Sequence, residues 1–163
     1  METTMNATVE AAKAEFTRAK GRVAKALATT PEDKTNWSPS ATSRSPLDEV
    51  AHCAMSIKGM QGWLAGEPFP FDSMAELDAF SRAKEKEFTS REQALALLEE
   101  NSNGYLAWLD GLTDKQIAAT FDTPMGSFPM SMAITFCADH LRSHAAQMDY
   151  IQTIYGDHDM HMG

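Results

Sequence analysis

Apolar residues recur at intervals of three and four along most of the chain, the spacing of one face of an α-helix. The first such stripe is Val9, Ala12, Phe16, Ala19, Val23 and Leu27, which predicts a helix from about residue 5 to 29. The segment PEDKTNWSPSATSRSP then breaks the pattern with prolines, serines and threonines, and predicts a loop with Trp37 as its one large packing anchor. Ser45 followed by Pro46 has the form of a helix start, a capping side chain and then proline at the first helical position. This second helix should run through LDEVAHCAMSIKGMQGWLAG and stop near Gly66 and Pro68. A shorter, charged helix is expected over MAELDAFSRAKEKEF. Thr89 with Glu92 reads as a capping box opening a third long helix to about Leu112, with Ala94, Leu98, Asn101, Tyr105, Trp108 and Leu112 on one face. ATFDTPMGSFP predicts a turn or tight hairpin. A last helix should run from about Met130 to Tyr155 and end on Gly156.

Four long helices with one short extra predict an all-α fold, a four-helix bundle with an antiparallel core. The short helix and the loop before it would make one crossover. The expected organisation is a single domain over residues 1–163, with a polar, frayed tail from about 157.

Composition narrows the function classes. Fourteen basic against 23 acidic residues give a formal charge of −9, and no run of Lys or Arg offers the basic patch that nucleic-acid binding needs. The N-terminal METTMNATVEAAKAEF lacks a basic region followed by an apolar run, and no stretch reaches the roughly 18 apolar residues of a membrane span. A cytoplasmic location without membrane partners is the expectation. The two cysteines, Cys53 and Cys137, each lie in an apolar helical run and read as small buried hydrophobes.

The candidate chemistry lies in the last helix. Ala133, Ile134, Cys137, Leu141, Met148, Ile151 and Tyr155 form its apolar stripe, while Asp139, Arg142, Ser143, Asp149 and Thr153 lie on the other side. His140 and His144 fall within or at the edge of that stripe. Two imidazoles at i and i+4 stand one turn apart, about 6 Å, and can reach one metal ion. This is the spacing of the metalloprotease HExxH, but Leu141 stands where that motif has its glutamate, so the protease general base is missing. Two core histidines hydrogen-bonded across a bundle would give the same pattern. A third ligand could come from His52, His158 or His161, the last two in the tail. Helical phase makes His52 peripheral. It lies about 130° from the stripe formed by Val50, Ala54, Ile57 and Leu64, and shares its own face with Ser56, Gly59 and Trp63.

Several motifs taken together resemble the DinB-like family. SPLDEVAHCAMS is similar to the family helix that carries a histidine after a short amphipathic start. CADHLRSHAAQM resembles its HxxxHxxQ signature, matched by His140, His144 and Gln147. Trp37 with Ser38 and Pro39 is similar to the tryptophan-proline loop before the first motif, and the resemblance spans about residues 37 to 155. It implies a four-helix bundle with His52, His140 and His144 as ligands of a divalent metal, zinc or nickel most often, and a homodimer. Relatives include metal-dependent thiol S-transferases and mycothiol-dependent isomerases. The expected function is therefore a metal-dependent enzyme acting on a small molecule, by transfer of a low-molecular-weight thiol or by metal-assisted hydrolysis. Gln147 is a candidate for orienting substrate or a metal-bound water, and Asp48 for bonding a ligand imidazole. The alternative is a non-enzymatic dimeric bundle with a structural or vestigial metal site, which a fourth protein ligand such as Cys137 would favour.

Overall fold

The computed structural model describes residues 4–161, with side chains from residue 7. Residues 1–3 of the N-terminal segment and residues 162–163 of the tail lie outside the described residues. Four long helices form the bundle: α1 (Thr4–Thr29), α2 (Pro46–Leu64), α4 (Arg91–Asp110) and α7 (Phe136–Ile154), with the shorter α3 (Met74–Glu85) between α2 and α4. All six positions of the first apolar stripe are buried.

The helix ends follow their capping chemistry. Ser45 and Asp48 form a reciprocal capping box at the start of α2, with Pro46 as its first residue. Gly66 and Gly156 adopt positive φ, 97° and 93°, and close α2 and α7 with bonds from Glu67 N to Gly62 O and from Asp157 N to Gln152 O. At α4 the sequence offers two overlapping boxes. The structure uses Ser90 with Gln93 and not Thr89 with Glu92. The Gln93 amide oxygen accepts from Thr89 N, Thr89 Oγ1 and Ser90 N at 2.9, 3.1 and 3.2 Å, so one side chain satisfies both residues before the helix.

Beyond α4 a single-turn helix, α5 (Asp114–Ile117), precedes the expected hairpin of β1 (Thr120–Thr123) and β2 (Gly126–Pro129). The last helix is not continuous. A short α6 (Met130–Ala133) ends at Ile134 and Thr135, and α7 begins at Phe136. The carbonyl of Ile134 accepts a 2.7 Å hydrogen bond from the buried Tyr105 hydroxyl, so the interruption is satisfied from α4.

Ion pairs across the bundle fix the helix directions. Arg22 meets Asp149 and Arg142 meets Glu15, a constant offset that makes α1 and α7 parallel. Lys13 meets Asp110 and Lys20 meets Glu99, so α1 and α4 are antiparallel. Asn101 donates to Ala54 O, and the Arg91 end of α4 lies beside Thr35, which also accepts from Leu47 N; α2 and α4 are thus parallel. The core is two parallel pairs set antiparallel to one another, not the simple antiparallel bundle expected. Parallel neighbours need a crossover. The segment carrying α3 makes the one between α2 and α4, and this crossover brings α3 against the outer face of α2.

Candidate metal centre

α2 and α7 run antiparallel in contact and bring His52, His140 and His144 together. One ring nitrogen from each lies within 4.8 Å of the other two. Ring centroids are 5.1 Å apart for His52–His140, 4.6 Å for His52–His144 and 4.5 Å for His140–His144. His158 is exposed and His161 bonds Asp157 in the tail. Neither belongs to the cluster.

Each ring is held differently. His144 Nδ1 lies 2.5 Å from the Glu49 carboxylate, and His52 Nδ1 lies 2.9 Å from Glu85 on α3. A carboxylate only accepts, so Nδ1 carries a proton in both and Nε2 is the atom left to face an ion, with the Ser56 hydroxyl 3.4 Å from His52 Nε2. His140 has no such brace, and its Nε2 is buried with no hydrogen-bond partner. Burial, reinforced by the neighbouring His144 and His52 rings, pushes its pKa down to about 3. It is therefore a neutral imidazole with an unused lone pair at neutral pH. Buried polar atoms are nearly always paired. An orphan nitrogen facing two imidazoles whose Nδ1 atoms rest on carboxylates is the donor set that a divalent ion such as zinc would take.

The surrounding groups form one network. Burial alone would raise the Glu85 carboxyl, but hydrogen bonds from His52 and Arg44 outweigh it and hold it below the usual carboxylate range. Arg44 Nε reaches Glu85 at 2.9 Å, and Arg44 also pairs with Asp78, which in turn bonds Arg82. With its amide nitrogen turned toward the carboxylate, Gln147 donates to both Glu49 oxygens at 3.2 Å, and the same nitrogen lies 2.9 Å from His144 Nδ1. A cavity of about 530 Å³ opens beside this network and is lined by Arg44, Glu49, Arg82, Gln147 and Tyr150 among others. A second cavity, about 480 Å³, lies at the hairpin end against Trp63, Trp108 and Phe121.

Asp48 is committed elsewhere. It accepts from Ser45 N and pairs with Lys86, which together hold its pKa down against the effect of burial. The carboxylates that reach the rings are Glu49 and Glu85, which sequence reasoning did not single out. Glu49 was legible as the residue one turn before His52 inside a segment buried all round. Glu85 carried no signal, since it sits in the charged run AKEKE and is placed by the crossover. The same crossover explains His52. α3 covers a second face of α2, so the helix is buried on more than the one stripe that phase assumes. Gly59 plays no part in this, having open space around its Cβ position. Cys137 and Cys53 are buried free thiols outside the cluster, and burial pushes Cys137 up to about 12.

The fold and site can be set beside known proteins. YfiT from Bacillus subtilis, described as a probable metal-dependent hydrolase with an unusual four-helix bundle topology, superposes with a TM-score of 0.73 at 18% identity, covering 96% of this chain and 91% of that one. The sibling lethal factor precursor DfsB superposes with a TM-score of 0.74 at 17% identity, covering 95% of this chain and 99% of its own. At such identities the likeness is one of fold. A search of curated protein sequences gave no match. The family model of the DinB superfamily matches residues 15–148, and the chain belongs to that superfamily.

Proposed function

We propose that this protein is a divalent-metal-dependent enzyme acting on a small molecule, with His52, His140 and His144 as the metal ligands. The observation that carries the reading is a three-imidazole cluster, one ring buried and two half-buried, one nitrogen unpartnered, with no cysteine or carboxylate among the described residues completing it as a fourth donor. A structural zinc site is closed by four protein ligands, whereas a catalytic one keeps a position open. Zinc and nickel are among the ions that suit imidazole donors. When bound, such an ion acidifies water or a thiol toward neutral pH and so supplies a nucleophile.

The chain's own residues then hold the rings and exclude competing donors. Glu49 and Glu85 fix the imidazole tautomers, Gln147 holds Glu49, and burial keeps His140 neutral. Leu141 stands where a metalloprotease has its general base, so a nucleophile that needs no separate protein base is favoured. That fits hydrolysis, or transfer of a low-molecular-weight thiol to an electrophile. The cavity beside Glu49 and Gln147, about 530 Å³, is of the size that takes a small molecule. YfiT's description as a probable metal-dependent hydrolase supports the hydrolytic branch.

A homodimer is part of the proposal. Tyr150 and Ile154, one turn apart on α7 and 69% and 47% exposed, are apolar surface that such a contact would cover. No described helix is long and apolar enough to cross a membrane, which accords with a proposed cytoplasmic location. The test is metal analysis of protein purified without chelator or affinity metal, followed by hydrolysis and thiol-conjugation assays of stripped and reloaded protein. Activity lost on stripping and regained on reloading supports the reading. Protein that takes up no divalent ion at micromolar concentration overturns it.

A further inference from the structure

Burying a carboxylate is costly unless a positive charge or several hydrogen bonds accompany it. Glu85, 1% exposed, has Arg44. Glu49, 4% exposed, forms no direct ion pair with any Lys or Arg among the described residues and feels Arg44 only at longer range; its side-chain contacts are the His144 ring and the Gln147 amide. Two buried carboxylates therefore stand one imidazole away from the same point and share a single guanidinium.

We infer that Glu49 and Glu85 are positioning residues for the bound ion, acting through His144 and His52. The inference rests on the three-histidine reading above and adds to it a reason for these two glutamates to be buried. Each carboxylate accepts the Nδ1 proton of one ring, which aims that ring's Nε2 lone pair at the ion and makes it a stronger donor. Together they place two negative charges beside a divalent cation and balance it within the buried site. The two are not equivalent. Arg44 bonds Glu85 directly and reaches Glu49 only at longer range, and Glu49 lies closer to its ring, 2.5 Å against 2.9 Å, so Glu49 should matter more.

Co²⁺ is a suitable probe, because its visible spectrum reports coordination and its affinity can be set by chelator competition. Glu49→Gln and Glu85→Gln keep an acceptor oxygen and remove the charge. Each should weaken Co²⁺ binding by about 10- to 100-fold, with Glu49→Gln the larger loss, while Glu67→Gln at the hairpin end changes nothing. If the wild type binds Co²⁺ through the three histidines and both glutamine variants bind it within twofold, with the same spectrum, the positioning role is overturned and the ligand set stands. If the wild type binds no Co²⁺, the ligand set itself fails. Should a variant not fold, long-range ¹⁵N–¹H correlation spectra of the Zn²⁺-loaded wild type decide the matter unaided. They should show His52 and His144 carrying a proton at Nδ1 and bound to the ion through Nε2. Rings bound to the ion through Nδ1 would contradict the role.

Discussion

The two ends of the α2–α7 contact are built from different material. Toward the start of α2, polar side chains gather: Glu49, Glu85 and His144 are buried, His52, His140 and Arg44 half-buried, and hydrogen bonds join all of these but His140, with Gln147 at the exposed edge. Eleven residues further along α2, about 16 Å, the same helix face carries Trp63, which packs on Phe69 and Phe121 at 5.3 and 5.1 Å. That end is aromatic and tied by the hairpin, with Met130 N bonded to Ala119 O. Both ends border a cavity of similar volume, so cavity size does not separate them. Burial cost does. Aromatic packing stabilises a fold and needs no other explanation, whereas a buried histidine nitrogen without a partner and two buried carboxylates sharing one guanidinium cost stability unless something binds there.

The largest expected effect sharpens this contrast. His52→Ala, His140→Ala or His144→Ala should each reduce metal content to near background, measured by mass spectrometry of the metal, while far-UV circular dichroism stays close to wild type. The apolar stripes carry the bundle without them. Trp63→Ala should do the reverse, lowering the urea midpoint by loss of packing while metal content holds. A Trp63 variant that lost its metal would break the separation of the two ends.

Tyr105→Phe comes next. It removes the hydroxyl that satisfies the Ile134 carbonyl at the α6–α7 break and should cost about 1–3 kcal/mol in urea unfolding, since the carbonyl is left buried and unpaired. Because that break sets where α7 begins, a metal affinity several-fold weaker would show that the aromatic end helps to aim His140 and His144.

Ser45→Ala should have a smaller effect, about 1 kcal/mol by thermal or urea unfolding, through loss of the cap on Asp48 N. The Asp48 carboxylate, within about one turn of His52, keeps its bonds to the backbone N of residue 45 and to Lys86. Unchanged metal affinity is the expected result, because Asp48 is bonded to Ser45 and Lys86 and not to a ring. The smallest effect is at the tail, where His158→Ala and His161→Ala should leave both metal content and stability unaltered.

What could be read in advance followed from local rules. The α1 stripe, the Ser45-Pro46 start, the hairpin and the closing glycines each depend on a few neighbouring residues, and the structure has them all. The i,i+4 spacing of His140 and His144 is local in the same sense. Long-range features were harder. The hydrophobic period runs through Ile134 and Thr135 without a mark, so the break in the last helix is set by Tyr105 from another element. The parallel pairing of α1 with α7 and of α2 with α4 leaves no trace in periodicity, and it is this topology that lays α3 over His52. Phase alone misplaced His52 for that reason, and the motif resemblance supplied it. Thr113 with Gln116, the capping box of α5, was a local signal that the sequence reading passed over.

The central claim is that three histidines from two helices hold one divalent ion. Crystals of the protein grown or soaked with Zn²⁺ and measured at the zinc absorption edge test it most directly. The account predicts one strong anomalous peak within about 2.0–2.2 Å of a ring nitrogen from each of His52, His140 and His144, with Glu49 and Glu85 still on the far side of their rings. A peak at His158 and His161, one that includes Cys137 as a fourth ligand, or no peak between α2 and α7 would contradict it.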